Sequence, residues 1–188
     1  LNQISFKLLV KINSYLNHNY HIRYHNILNM NIEKYINSDL LPLNIDEFPW
    51  LYESKNDIER EDVGKWMLFY DKSKINDAWV EATTLYRNDE LDGVTSMKCS
   101  TSYDNPRAND DNSVIILYCN NSHDKEKIIN TGKNILKLFK YEEKDTIYYK
   151  TDEQTREGTV ATGSKKNHTY KIINPYYKTT CLFDSDSD

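Results

Sequence analysis

The stretch "GKWMLFYDKSKINDAW", residues 64–79, contains two of the three tryptophans of this chain, one inside an apolar run and one after a charged segment. Residues 65–70 are rich in large hydrophobic side chains between turn-forming neighbours, which predicts a short strand. Residues 71–76 predict a loop, and Asp77 is a suitable N-cap for a helix that carries Trp79. An indole placed after such a loop is either a core residue of the helix or an exposed platform for a nucleobase.

The composition is that of a folded, polar chain. Its 188 residues suffice for one domain with a decorated end, and an aromatic fraction of 12%, mostly from 15 tyrosines, is too high for a disordered chain. A net charge of -5 argues against a general DNA-binding surface but leaves room for a local basic site. The apolar run at residues 4–12 is interrupted by lysines and too short to cross a bilayer, so we expect no membrane association.

Residues that could hold a metal or act on a substrate are sparse. The three cysteines are far apart and lack a zinc-ligand spacing, so we expect reduced thiols in a cytosolic protein, with the nucleus left open. His18, His21 and His25 would share one helical face, but no carboxylate or cysteine completes a ligand set, which favours a polar helix face. No Gly-rich phosphate loop or nucleophile motif occurs. We therefore predict no catalytic residues, no metal and no cofactor.

The order of the predicted elements indicates the fold class. Residues 1–45 carry apolar side chains at helical intervals and predict an N-terminal helical extension, which ends in a proline-containing connector at residues 39–50. Residues 46–175 predict an α+β domain with helices packed on one face of a mainly antiparallel sheet. Its predicted strands are 65–70, 94–102, 113–119, 145–150 and 168–173, and its helices follow Asp77 and span 124–139. Residues 176–188 end in "DSDSD" and predict a disordered acidic tail.

Two resemblances refine this prediction. Residues 65–74 and Trp79 resemble the opening strand, loop and loop tryptophan of translation initiation factor 4E, the messenger-RNA cap-binding protein, in which that tryptophan stacks on the methylated guanine. The likeness extends over residues 62–175. A second, more specific resemblance is to the uncharacterised basophilic leukemia expressed protein family, whose pattern is Tyr-Lys, one residue, Asp, two residues, Thr, two residues, Gly. The matching residues are Tyr149, Lys150, Asp152, Thr155 and Gly158.

The second family has a shortened fold of the 4E type, so the resemblance implies a curved antiparallel sheet with helices on one face. It implies a fold more directly than a function. Thr151 and Arg156 depart from the pattern at positions where a proline and an aromatic residue are common. Cap recognition of the 4E kind also needs a second tryptophan followed by a glutamate, and no such pair occurs between Trp79 and Lys98. Trp50, in "PWLYE", is the nearest substitute, together with Tyr52 and Glu53.

Candidate ligand contacts follow from these motifs. Trp79 is the predicted stacking residue, with a core position as the alternative, whereas Trp66 is assigned to the core. The candidate phosphate contacts are Lys98, Arg107, Lys150, Arg156, Lys165 and Lys166. Lys98 and Lys150 are favoured because they lie at strand ends in the resembling motifs, although lysines are ordinary on solvated surfaces. Asp152 and Thr155 either bind ligand or hold a turn through hydrogen bonds to the backbone.

These features favour a monomeric, non-catalytic module that binds a nucleotide or RNA, with cap-like structures among the candidate ligands. The alternative is a protein-interaction domain that binds a partner on its helical face and holds no ligand. An enzyme acting on a nucleotide is a third hypothesis, but the sequence shows no titratable pair for it. If Trp79 stacks on a base, ligand-induced quenching of tryptophan fluorescence should be lost in Trp79→Phe.

Overall fold

The computed structural model describes residues 32–55, 63–104, 111–120, 122–157 and 168–177. Within them, six strands form one antiparallel sheet in the order β1-β3-β4-β2-β5-β6. The strands are β1 Trp50–Ser54, β2 Gly64–Asp71, β3 Ser96–Ser100, β4 Asn112–Cys119, β5 Thr146–Thr151 and β6 Tyr170–Ile173. The helices are α1 Ile75–Arg87, α2 Lys125–Phe139 and the short α3 Asp152–Glu157.

Strands β2 and β4 form the centre of the sheet. They pair along their whole length, from Gly64 opposite Cys119 to Asp71 opposite Asn112. Both are dominated by β-branched, aliphatic and aromatic residues, which suit a pleated strand buried between neighbours. Side chains alternate between the two faces of a strand, so Trp66 and its alternate neighbours in β2 point to one face and Lys65 points to the other.

Helices α1 and α2 cover one face of the sheet and enclose the main core with it. Trp66 is fully buried there. Its indole Nε1 donates a hydrogen bond to the carbonyl oxygen of Ile128 in α2, at a distance of 3.3 Å. Gly132 in α2 permits this close approach, because a Cβ at that position would lie 2.5 Å from Cζ2 of Trp66. The side chain of Asp124 caps α2 by accepting a hydrogen bond from the Lys127 amide. The predicted α+β class and the core position of Trp66 are both confirmed.

Three local predictions differ from the structure. Helix α1 begins at Ile75, so Asp77 lies inside its first turn; the side chain of Asp71 instead accepts from the Ser73 amide at 2.8 Å and caps a 3-10 turn that leads into the helix. The predicted connector runs into a strand, β1, whose Trp50 lies opposite Ser100 of β3. The strand predicted at residues 94–102 spans only Ser96–Ser100, so Lys98 lies at its centre and not at a strand end.

Residues 32–45, which belong to the predicted N-terminal extension, pack against the sheet domain. Tyr35 is fully buried, and its ring stacks on Phe48 with centroids 4.6 Å apart. Ile36 forms a parallel bridge with Tyr52 of β1. The helices predicted nearer the N-terminus and most of the predicted acidic tail lie outside the described residues, so the three-part division of the chain stays a prediction. None of the helices in the described ranges combines the length and apolar character needed to cross a bilayer.

Candidate functional site

The face of the sheet opposite α1 and α2 carries most of the strand lysines, and we call it the lysine face. Cross-strand partners share a face. Lys65 lies opposite Lys150, and Tyr148 lies between Met67 and Lys171 in the register of β2, β5 and β6. The other members of this face that matter below are Trp50, Lys98, Tyr118 and Phe69. Basic and aromatic side chains therefore share this face of the sheet.

A small apolar cluster at one end of the lysine face holds Lys98. Its Nζ lies 4.0 Å from the centroid of the Trp50 ring and 5.8 Å from that of Tyr118, which are cation–π distances. Trp50 is partly buried and packs against Val63, Ile116 and Tyr118. Trp50 on the edge strand β1 and Lys98 on the neighbouring strand β3 thus form a cation–π pair.

Lys65 and Asp152 form an ion pair next to this cluster. The Nζ of Lys65 lies 2.8 Å from Oδ1 of Asp152, and only 7% of the lysine side chain is exposed. The amide of Asp152 also donates to the carbonyl oxygen of Val63 at 2.9 Å. A buried ammonium is tolerable only with a paired, hydrogen-bonded carboxylate. Asp152 therefore neutralises Lys65 and joins the start of α3 to β2.

The other end of the lysine face exposes apolar side chains. Phe69 on β2 is 36% exposed, Tyr148 on β5 is 39% exposed and Ile173 on β6 is 79% exposed. The ring of Tyr148 lies 4.8 Å from that of His168, at an interplanar angle of 58°. Phe69 and Tyr148 lie on the sheet face that α1 and α2 do not cover, where large exposed side chains can contact a ligand.

The family motif at the end of β5 builds a corner of the fold. Tyr149 is fully buried, with its ring 5.3 Å from that of Trp66 and 5.8 Å from that of Tyr170, and burial raises the pKa of its phenol. The hydroxyl of Thr155 donates to the carbonyl oxygen of Thr151 at 3.0 Å. This hydrogen bond is the structural alternative predicted for Thr155, whereas the Asp152 side chain forms, within the described residues, the ion pair with Lys65 and not a hydrogen bond to the backbone.

The stacking role predicted for Trp79 conflicts with the structure. Trp79 lies in α1 with 2% of its surface exposed, within the main core. A base needs one free face of the indole ring, and this ring offers none. Trp79 shares the buried side of α1 with Ile75, Ala82 and Tyr86, so it packs into the core. Among the three tryptophans, Trp50 is the one with partial exposure on the lysine face.

The remaining predicted contacts divide into two groups. Lys98 and Lys150 lie on the lysine face, whereas Arg107, Lys165, Lys166 and the Arg156 side chain lie outside the described residues, as do the three histidines predicted to share a helix face. The sequence did not identify Lys65 and Tyr148 as site residues. Strand alternation could have found Lys65, because neighbouring side chains point to opposite faces and Trp66 was assigned to the core. In the described ranges, no group of three or more His, Cys, Asp or Glu side chains is arranged to hold a metal ion.

Comparisons with known proteins bear on the family and the fold. The sequence profile of the family described as basophilic leukemia-expressed protein Bles03 matches residues 58–156. No curated protein sequence is significantly similar to the chain. The structure of schistosome eIF4E complexed with m7GpppA and 4E-BP aligns with a TM-score of 0.55 at 20% identity, covering 71% of this chain and 75% of that chain. The complex of schistosome eIF4E with m7GpppG and 4E-BP gives the same TM-score of 0.55, with 20% identity and coverage of 71% and 75%.

At this level of identity, the structural likeness shows the fold alone, and both resemblances drawn from the sequence are confirmed. The six-stranded antiparallel sheet with its two covering helices is eIF4E-like. Since the profile match spans more than half of the residues, the chain belongs to the basophilic leukemia-expressed protein Bles03 family.

Proposed function

We propose that this protein is a non-catalytic binding module that holds a nucleotide or RNA on the lysine face. In this proposal Lys98 and Lys150 contact phosphate groups, and Trp50 takes the stacking role that Trp79 cannot fill. The observation that carries the proposal is the concentration of lysine and aromatic side chains on the sheet face that α1 and α2 leave uncovered. A cytosolic location and a monomeric state remain part of the proposal.

The charge of this face supports an anionic ligand. Its charged strand residues in the described ranges are Lys65, Lys98, Lys150, Lys171 and, at the end of β2, Asp71. Asp152 neutralises Lys65, and the other charged residues of this face in the described strands are three lysines and Asp71, on a chain whose net charge is -5. A local positive surface on an acidic protein attracts phosphate without making the whole molecule a general polyanion binder.

The aromatic residues support a base as the uncharged part of the ligand. Each nucleobase has a π-face, and stacking on an aromatic side chain contributes about 1–3 kcal/mol. Schistosome eIF4E, which shares this fold, is crystallised with m7GpppA and with m7GpppG. That precedent supports a nucleotide ligand here, although the residues proposed to hold it are those of the lysine face of this chain.

Tryptophan fluorescence tests the proposal. We would titrate the wild type, Trp50→Phe and Trp79→Phe with m7GpppG, GTP, ATP and a short RNA. We expect saturable quenching in the wild type and in Trp79→Phe, its loss in Trp50→Phe and weaker binding in Lys98→Met. Lys137→Met on the exposed side of α2 is the matched control and should bind like the wild type. Absence of quenching by every ligand, or unchanged quenching in Trp50→Phe, would refute the proposal.

Two other functions have direct tests. A protein-binding surface on α1 is supported by the 4E-BP present with schistosome eIF4E and by Val80, an exposed valine on the outer side of α1. If the protein binds 4E-BP and Val80→Asp abolishes that binding, the surface on α1 is established. If 4E-BP does not bind, Val80 is an ordinary exposed apolar residue. Measurable turnover of any of the titrated nucleotides would instead favour an enzyme.

A further inference from the structure

We infer that the lysine face binds a single-stranded oligonucleotide across several strands, with Phe69 and Tyr148 forming a second base-stacking subsite. This inference rests on the proposed function and specifies its ligand class. The first subsite is the pair of Trp50 and Lys98 at the β1 side of the sheet. The second lies at the β5 side, where a single nucleotide held at Trp50 does not reach.

The second subsite is defined by exposure and register. Six large hydrophobic side chains are exposed in the described ranges, and three of them, Phe69, Tyr148 and Ile173, lie together on this face. Lys171 lies directly opposite Tyr148 in the register. The inner side of the same sheet buries its aromatic residues under α1 and α2, whereas Phe69 and Tyr148 lie on the face that these two helices do not cover. Exposed rings flanked by lysine are the combination that single-stranded nucleic acids use.

The separation of the two subsites sets the ligand length. Trp50 on β1 and Tyr148 on β5 are four strand spacings apart in the order of the sheet. At about 4.8 Å for each spacing, the two subsites are roughly 19 Å apart. A nucleic acid strand advances by about 3.4 Å per nucleotide when stacked and by more when extended, so the ligand needs roughly three to six nucleotides to reach both.

The distribution of charge agrees with a chain of phosphates. Lys98 is on β3, Lys150 on β5 and Lys171 on β6, so the positive charges follow the same direction across the sheet as the aromatic rings. Ile116 and Met67 lie between the two ends in the register. A mononucleotide would need donors that converge on one point, whereas a backbone with one charge per nucleotide fits lysines spread along a path.

The test measures fluorescence anisotropy of labelled oligo(U) RNA and oligo(dT) DNA, from the dinucleotide to the octanucleotide. We expect affinity to rise with length and to level off once both subsites are filled. Tyr148→Ala and Phe69→Ser should each weaken octanucleotide binding about 5- to 100-fold, the range for loss of one stacked base. Tyr148→Phe keeps the ring and should bind like the wild type.

The matched aromatic control is Tyr177→Ala. Tyr177 is 40% exposed, almost the same as Tyr148 at 39%, but it lies after the last strand and should not affect binding. Salt dependence provides an independent measurement, because each neutralised phosphate of a single strand contributes a log–log slope of about -0.7. Lys171→Met should reduce the slope by about one such step, whereas Lys137→Met on α2 should leave it unchanged.

The outcomes separate this inference from the proposed function. If neither mononucleotides nor oligonucleotides bind, both fail. If mononucleotides quench Trp50 but the octanucleotide binds no more tightly, the oligonucleotide inference is overturned and the proposed function stands. Equal affinity of the wild type and of folded Tyr148→Ala and Phe69→Ser variants would overturn the second subsite. Equally tight binding of poly-glutamate would overturn it as well, since a peptide polyanion offers no bases to stack.

Discussion

Replacing Asp152 by asparagine tests whether the ion pair on the lysine face supports the fold. The substitution keeps the size of the side chain and the backbone hydrogen bond to Val63, but it removes the negative charge that lies 2.8 Å from the Nζ of Lys65. The Lys65 side chain is 7% exposed and that of Asp152 is 24% exposed. An ammonium group is therefore left in a largely dry site without its counter-charge.

The magnitude follows from the burial of the two partners. Loss of one partner of a buried ion pair costs about 3–5 kcal/mol. Because about a quarter of Asp152 is exposed, water can solvate part of the site, and we expect a loss of about 2–3 kcal/mol in the free energy of unfolding. For a chain of this size, each kcal/mol lowers Tm by about 2–4 °C, so Tm should fall by about 5–10 °C.

The assay is urea and thermal unfolding followed by circular dichroism, with a second ion pair as the control. Lys74 and Glu143 are 2.6 Å apart, and Glu143 is 20% exposed, but Lys74 is 60% exposed. The two carboxylates thus have similar exposure, and only the burial of the lysine differs. Glu143→Gln should cost less than about 1 kcal/mol, the usual contribution of an exposed pair.

A double variant isolates the contribution of the buried charge. Lys65→Met removes the ammonium and keeps an unbranched apolar side chain, so Lys65→Met combined with Asp152→Asn should be more stable than Asp152→Asn alone. Equal losses in Asp152→Asn and Glu143→Gln would show that burial of Lys65 is not what makes its partner important. The reasoning would also be refuted if the double variant lost as much free energy of unfolding as Lys65→Met and Asp152→Asn lose together.

Three further predictions concern the core and a surface pair. Trp79→Ala should lower the free energy of unfolding by about 3–5 kcal/mol, and folded protein should bind nucleotide with unchanged affinity in the fluorescence titration. Gly132→Ala should cost about 1–3 kcal/mol in urea unfolding, because the new Cβ would lie 2.5 Å from Cζ2 of Trp66. Hydrogen bonds from Tyr35 and Lys34 lower the pKa of Glu47 from 4.5 to about 2. The hydrogen bonds to the ionised Glu47 carboxylate stabilise the fold above the ordinary pKa, and this contribution is lost as pH falls from 4.5 to about 2. In urea unfolding, the wild type should therefore lose stability relative to Glu47→Gln over that range.

Each of these predictions has a result that would contradict it. Weaker nucleotide binding in folded Trp79→Phe would return that indole to the ligand site. Because alanine is about 1 kcal/mol more favourable than glycine in a helix, a Gly132→Ala variant more stable than the wild type by that amount would show that the helix can move away from Trp66 at little cost. Parallel pH profiles of wild type and Glu47→Gln would contradict the lowered pKa.

The order of elements from β2 onward was predictable because each one is specified by nearby residues. The apolar run of β2 and the apolar stripe of α2 are patterns of only a few residues, and they predict both the type and the approximate bounds of the two elements. The pairing of β3 with β4 also followed, since consecutive strands usually pair. The same local patterns carried the resemblance to the family.

The site depended on contacts that no short pattern contains. Trp50 becomes a strand residue through pairing with Ser100, and Lys65 becomes a buried cation through Asp152, which is 87 positions away. Trp79 was ambiguous because burial of an indole is decided by what packs on the helix. Local sequence determines backbone preferences through interactions within a few residues, whereas the burial and charge environment of a side chain depend on distant segments brought together only by the tertiary fold.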